Sequence, residues 1–138
     1  MRKSLMIALV ASVAVGASPS AFAFKEFYDQ WVEMYIDDSN TSKEATEFSN
    51  LATDPKTRCL VCHQGKSKKN HNPYGDHFVG VIDKTHRKDV DKIKQVLKDV
   101  ADKKSDPSDA NSKTYAELIK EFKLPGGELA ELQKEPAK

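Results

Sequence analysis

Residues 58–63 read RCLVCH and contain both cysteines of the 138-residue chain, with a histidine directly after the second. On a short helix, positions i, i+3 and i+4 lie on one face. Cys59, Cys62 and His63 can therefore present two thiols and one imidazole to a single ligand. This grouping constrains the fold more than any other feature, because the rest of the chain must leave room for whatever the three side chains hold.

Four chemistries use two thiols at this spacing. Attachment of haem c bonds both thiols to the vinyl groups of one porphyrin, and the following histidine binds the iron. A dithiol redox site would need a preceding strand and a cysteine of low pKa. A structural zinc site needs about four ligands, and the chain has no second cysteine pair. A disulfide across so short a loop would add little stability.

The first 23 residues have the order of a cleaved secretory signal. A short basic start is followed by an almost wholly apolar run over residues 5–17, and residues 21–23 read Ala-Phe-Ala. The apolar run is too short to span a bilayer comfortably. The sequence predicts a signal peptide over residues 1–23 and a periplasmic or secreted protein with no stable membrane insertion after cleavage. An uncleaved N-terminal anchor is the alternative.

Residues 24–138 form a mature chain of 115 residues, which suits one small domain. The charge is uneven: residues 24–54 have a net charge of −6, residues 55–104 of +7 and residues 105–138 of −2. The motif thus lies in a basic segment that could steer a charged partner, although an ordinary solvated surface has the same composition. The basic residues lack interleaved aromatics, so no nucleic-acid partner is predicted.

Apolar residues recur at helical spacing along the mature chain, and no segment has the pattern of a strand, so the predicted fold class is all-α. An amphipathic helix is predicted over residues 24–36, with an aromatic face that includes Trp31, the single tryptophan. Asn72 is predicted to cap a helix in which Pro73 is the first residue. Its apolar face would carry Tyr74, Phe78, Val81 and Ile82. Other predicted helices cover residues 42–51, the motif, residues 88–104 and residues 112–122, followed by a frayed tail at about 128–138.

Context favours the haem interpretation of the motif. Export suits covalent haem attachment, no cysteine is left over, and the aromatic face of the first helix needs a large apolar partner. We therefore predict one haem c per chain, attached over residues 59–63 within a single domain, residues 24–138.

The stretch Cys59–His63 resembles the attachment site of c-type cytochromes. The longer stretches CLVCHQGKSKKNHNPYGDHF and KTYAELIKEFKLPGG resemble a family of small exported bacterial proteins with a single haem c domain. The resemblance implies a cytochrome c-like helical domain wrapped around one haem, with a role in electron transfer. It implies that Cys59 and Cys62 form thioether bonds and that His63 is the proximal iron ligand.

The second axial ligand is the open part of the prediction. The best-known small cytochromes c use a methionine downstream of the motif, but the only methionine of the mature chain, Met34, lies upstream. His77 is the first candidate, because a loop and one helical turn could bring it over the other haem face. Met34 is the second, and His71 and His86 are weaker candidates in polar segments. A vacant or water-filled position is the remaining alternative.

The predicted function is electron transfer in the periplasm, with an acidic redox partner that docks on basic residues around the motif. These are Lys56, Arg58, Lys66, Lys68 and Lys69. No acid–base pair or nucleophile arrangement stands out, so no enzymatic activity is predicted. The alternatives are a haem protein that binds small gases at an open distal position and a haem-free dithiol/disulfide redox protein.

Overall fold

The computed structural model describes residues 24–137, so the predicted signal peptide lies outside the described residues. Six α-helices are present in this part of the chain: α1 Lys25–Tyr35, α2 Lys43–Thr53, α3 Pro73–Asp76, α4 Val90–Ala101, α5 Tyr115–Lys120 and α6 Leu129–Leu132. Two 3₁₀ helices cover Arg58–Val61 and Lys84–His86. Extended pairing within residues 24–137 is limited to isolated antiparallel bridges, His63 with His71 and Lys104 with Thr114. The prediction of an all-α fold is confirmed.

Side-chain caps set the starts of α2, α4 and α5. Ser42 accepts a hydrogen bond from the backbone N–H of Ala45 at the start of α2, and Asp89 caps α4 in the same way. At α5 the cap is Thr114, which exchanges hydrogen bonds with Glu117 in a capping box. The prediction placed the start of this helix at Ser112, whose hydroxyl instead donates to the carbonyl of Asp106 within the preceding loop.

The core forms where α1 packs on α4. Trp31 of α1 and Ile93 and Leu97 of α4 are fully buried. The Trp31 indole N–H donates to the Tyr74 hydroxyl at 3.1 Å, so the polar atom of the largest core side chain has a partner. No helix of residues 24–137 combines the length and apolar character needed to cross a membrane.

The helix predicted over residues 73–82 is much shorter in the structure. Asn72 caps α3 through its side chain and Pro73 is the first helical residue, as predicted, but the helix ends at Asp76. Turns follow, and Gly80 has a φ of +74°, a left-handed conformation that interrupts helices. Val81 is consequently 47% exposed while Ile82 is buried, so the expected common face of these two residues is wrong.

The C-terminal segment packs against the rest of the fold, where fraying was predicted for residues 128–138. Leu132 of α6 is buried in the core. Its carbonyl accepts a hydrogen bond from the Gly65 N–H at 2.8 Å. The Glu135 carboxylate accepts from the Lys66 N–H at 2.9 Å and from the Asn70 side chain at 3.0 Å. The segment therefore joins the loop that follows the motif, a long-range contact that residue spacing does not indicate.

Candidate functional site

A cavity of about 440 Å³ lies beside the motif, within the range of roughly 300–1,000 Å³ usual for ligand and cofactor sites. One wall comes from the start of α1: Phe24, Lys25, Phe27, Tyr28 and Asp29. The other wall comes from the motif segment: Arg58, Cys59, Cys62, His63 and Lys68. All three predicted attachment residues therefore face one cavity, together with three aromatic rings of α1.

The motif itself adopts a tight turn. Its first part is the 3₁₀ helix Arg58–Val61, and the N–H of His63 reaches back to the carbonyl of Cys59 at 2.9 Å, an i to i+4 bond. The short helix predicted for the motif is thus present in 3₁₀ form, closed by one α-type bond. This winding brings Cys59, Cys62 and His63 to the same side of the turn.

Both thiols are free, and both cysteines are partly exposed. Burial raises the pKa of the Cys62 thiol to about 12, and the neighbouring Cys59 adds to the rise. The attacking thiol of a dithiol redox site is the first cysteine of the pair, so the raised pKa of Cys62 does not distinguish that alternative from haem attachment. Among residues 24–137 no group of three or more His, Cys, Asp or Glu side chains is arranged to hold a metal ion, so the motif does not form a zinc cage by itself.

His63 is buried and its Nδ1 lies 3.3 Å from the Asn70 carbonyl oxygen. A carbonyl can only accept, so this contact selects the tautomer in which Nδ1 carries the proton and Nε2 holds a lone pair. Burial lowers the pKa of the imidazole, and the nearby His71 and Lys68 lower it further. The ring is therefore neutral at pH 7, the form that ligates a metal.

The structure also brings His71 against His63, which the sequence pattern did not indicate. The two ring centroids are 5.0 Å apart and the rings are inclined by 32°. His71 Nε2 is buried without a hydrogen-bond partner, and Nδ1 lies 3.7 Å from the Asp76 carboxylate. The two rings are close and their backbones form a bridge, so His71 lies next to His63.

The other candidates for the second axial ligand do not line the cavity. His77 directly follows α3, and its ring centroid lies 5.6 Å from that of Tyr115. Met34 is partly buried and packs against the core from the far part of α1. His86 belongs to a surface turn, where its Nδ1 accepts from the Asp83 N–H at 3.3 Å. Within residues 24–137, the cavity wall contains His63 as its single imidazole and no thioether.

Charged groups surround the cavity. Lys25 is paired with Asp29 at 2.5 Å, and the Arg58 guanidinium lies 5.9 Å from the centre of the Tyr28 ring. Lys68 adds a third cation to the wall. The cavity thus combines an aromatic interior with a mainly basic edge, a combination that suits a flat apolar molecule carrying acidic groups.

Comparisons of the chain with protein-family models, with curated proteins and with solved structures found no match.

Proposed function

We propose that this chain is a monohaem c-type cytochrome that transfers electrons in the periplasm. The observation that carries the proposal is that Cys59, Cys62 and His63 all line one cavity of about 440 Å³. A redox dithiol or a disulfide would need no such cavity, and a zinc site would need further ligands. Haem c uses two thiols, one imidazole and an apolar space at once.

Covalent attachment requires Cys59 and Cys62 to keep reduced thiols that reach the cavity. Each thiol would add across a vinyl double bond of the haem: the sulfur would bond to one carbon and the thiol hydrogen would go to its neighbour. No oxidant or reductant is consumed in this addition. The free state of both cysteines is compatible with it.

His63 is proposed as the proximal iron ligand. Its Nδ1–H donates to the Asn70 carbonyl, which leaves Nε2 as the ligand atom and increases the electron density of the ring. When bound, the haem supplies the one-electron couple, while the protein adjusts its potential through this hydrogen bond and through burial.

The walls of the cavity suit the porphyrin ring and the propionates of haem. Phe24, Phe27 and Tyr28 provide apolar surface for the porphyrin plane. Haem has two propionate carboxylates, and Lys25, Arg58 and Lys68 are the cations positioned to pair with them. The domain wrapped around the haem would then be cytochrome c-like in function.

The proposed partner is an acidic redox protein. Lys56, Arg58, Lys66, Lys68 and Lys69 are all exposed, and none of their side chains forms an ion pair with another residue in the described part of the chain. The charge of Lys56, Lys66 and Lys69 is therefore available to an approaching partner, while that of Arg58 and Lys68 would be shared with the propionates. We propose export through the signal peptide and no catalytic activity of the chain itself.

A second candidate function is binding of a small gas at an open distal position. The observation that favours it is the absence of His77, His71, His86 and Met34 from the cavity wall among residues 24–137. A sixth ligand from His77 or Met34 would require that residue to move toward the cavity. Ligation by His77 and ligation by Met34 both remain predictions, with His77 as the first candidate and Met34 as the second.

An alkaline pyridine haemochrome spectrum of the exported protein, recorded before and after acid–acetone extraction, tests the proposal. We expect a haem c spectrum and haem that stays with the chain. The Cys59→Ala, Cys62→Ala double variant is the matched control and should lose its haem on extraction. Haem that extracts from the native chain, or no Soret band at all, would contradict the proposal.

Carbon monoxide separates the two functions. Rapid CO binding by the reduced protein indicates an open position, whereas a protein closed by a strong sixth ligand binds CO slowly or not at all. If His77 is the sixth ligand, His77→Ala should change the haem spectrum. If Met34 is the sixth ligand, Met34→Leu should change it. An unchanged spectrum in both variants excludes these two residues.

A further inference from the structure

One buried side chain holds the whole attachment turn. Asn72 is completely buried, and its side-chain nitrogen donates toward the carbonyl oxygens of Leu60, Val61 and His63 at 2.8, 3.2 and 3.3 Å. The backbone N–H of Asn72 donates to the carbonyl of Cys62 at 3.1 Å. Four consecutive carbonyl groups of the motif therefore lie within hydrogen-bond distance of a single residue and share its three N–H bonds.

The orientation of the Asn72 amide is defined from its other side. Its side-chain oxygen accepts from the Gly75 N–H at 2.9 Å, so the nitrogen must point to the motif carbonyls. Two glycines allow the approach. A Cβ added to Gly75 would lie 1.9 Å from the Cys62 carbonyl oxygen, and one added to Gly126 would lie 2.1 Å from the Asn72 side-chain nitrogen.

The two residues before Asn72 contact the imidazole of His63. The Asn70 carbonyl accepts from His63 Nδ1, and the His71 ring lies beside the His63 ring. Residues 70–72 therefore contact the motif three times in succession: at the imidazole nitrogen, beside the imidazole ring and at the turn carbonyls. Because one residue separates Asn70 from Asn72, we expect a displacement of Asn72 to reach the Asn70 carbonyl, which also accepts from the Gln64 N–H at 3.0 Å.

We propose that Asn72 is the positioning residue of haem attachment: it sets the turn so that both thiols and the imidazole face the cavity before haem is bonded. The proposal rests on the proposed function. Two thioether bonds to one rigid porphyrin require the two sulfur atoms at a set separation and direction, and such preorganisation raises the rate of bond formation. Through the backbone of residues 70–72, Asn72 would also influence the hydrogen bond from His63 to the Asn70 carbonyl, and with it the potential of a bound haem iron.

The test is Asn72→Ala, expressed with the haem attachment machinery and compared with Asn111→Ala. Asn111 is exposed, so its substitution controls for loss of an asparagine without loss of the turn contacts. We expect Asn72→Ala to lower the fraction of chains with attached haem several-fold, measured by intact mass. In the chains that do carry haem, the reduction potential should rise, because a weaker bond from Nδ1 makes His63 a poorer electron donor.

Gly126→Ala keeps the test decisive if Asn72→Ala does not fold. Its added methyl group displaces the Asn72 amide without removing it, so the same two changes are expected in milder form. Native attachment and native potential in both variants would overturn the proposal, and so would native behaviour of Gly126→Ala when Asn72→Ala is unfolded. Failure of the proposed function itself would be recognised separately, as a native chain without covalent haem.

Discussion

At the scale of single residues, the turn that contains Cys59, Cys62 and His63 is built from contacts between backbone groups and a few small or amide side chains. The glycine after Tyr74 illustrates this. Gly75 has ordinary negative φ, and what it provides is space, since its Cα packs directly on the Cys62 carbonyl. The glycine is needed for close approach and not for an unusual backbone conformation.

We predict that Gly75→Ala destabilises the protein by about 1–3 kcal/mol, the usual cost of overpacking, and lowers haem attachment. Gly80→Ala is the matched control. At Gly80 an added Cβ meets nothing within 4 Å, but φ is +74°, so the backbone cost is about 1–2 kcal/mol. Urea unfolding should report a loss in both variants, whereas the mass of the exported chain should report lost attachment only in Gly75→Ala. Equal attachment in the two variants would refute the role of the close contact.

At the scale of elements, the aromatic face of α1 contributes partly to the cavity and partly to the core. Phe24 and Tyr28 line the cavity, and Trp31 is enclosed by the core. Phe27 belongs to both, because it lines the cavity and is also buried against Phe78. The sequence predicted one aromatic face that a large apolar group would cover. Helical spacing indicates which residues share a face, but the packing of α4 decides how far along the helix that face is already covered by protein.

The C-terminal segment is a second element whose role depends on long-range contacts. Through Glu135 it holds the backbone at Lys66 and the side chain of Asn70. The Asn70 carbonyl in turn accepts from His63. Residues 64–70 are thus fixed at both ends, by the motif and by the segment after α6.

We predict that Glu135→Ala loosens the loop at residues 64–70, because two hydrogen bonds to a carboxylate are removed. The expected loss of global stability is small, about 1 kcal/mol, since these groups are exposed. Hydrogen exchange at the Lys66 amide and tryptic cleavage after Lys66, Lys68 or Lys69 should accelerate. Glu131→Ala is the control, because the Glu131 carboxylate pairs only with Lys134 among the ion pairs of the described chain. The same acceleration in the control would show that the Glu135 contacts are not responsible.

At the scale of the whole molecule, folding lowers the pKa of two histidines. Burial is the main cause for both His63 and His77, helped by His71 and Lys68 near His63 and by Lys103 near His77. In the unfolded chain both rings titrate near the ordinary value of about 6.5. Between the lowered and the ordinary pKa the unfolded state binds more protons, so stability falls as pH decreases through this window.

We therefore predict that the haem-free chain loses stability when the pH is lowered from about 7.5 to about 5.5, a range in which most carboxylates remain ionised. Urea midpoints across this range provide the measurement. The His63→Gln, His77→Gln double variant should show a smaller change of the urea midpoint with pH. A double variant with the native slope would show that other groups cause the pH dependence.

Charge distribution is also a property of the whole molecule. The cavity edge carries Lys25, Arg58 and Lys68 against one carboxylate, Asp29, and further exposed lysines lie nearby in the sequence. We predict that oxidation of the reduced protein by anionic hexacyanoferrate(III) slows as ionic strength rises, while oxidation by a cationic ruthenium ammine accelerates. Lys68→Glu, Lys69→Glu should weaken both trends more than Lys120→Glu. Salt-independent rates with both oxidants would refute electrostatic steering and leave haem attachment untouched.

Local features of this protein follow from the sequence alone. The grouping of Cys59, Cys62 and His63, the caps at Ser42 and Asn72 and the apolar stripe of α4 depend on residues a few positions apart, and near neighbours along the chain must be neighbours in space. The all-α class follows from the same local spacing.

The surroundings of the motif were decided by the tertiary structure. His71, and not His77, lies against His63, and Asn72 contacts four carbonyls of the motif. Glu135 holds the loop that follows the motif. These contacts cross turns or join segments that are distant in the sequence. Helical periodicity specifies the face on which a side chain lies, but not the segment that packs on that face. Close packing of the whole chain makes that choice, because each buried polar group must find a partner and each buried surface a complementary one.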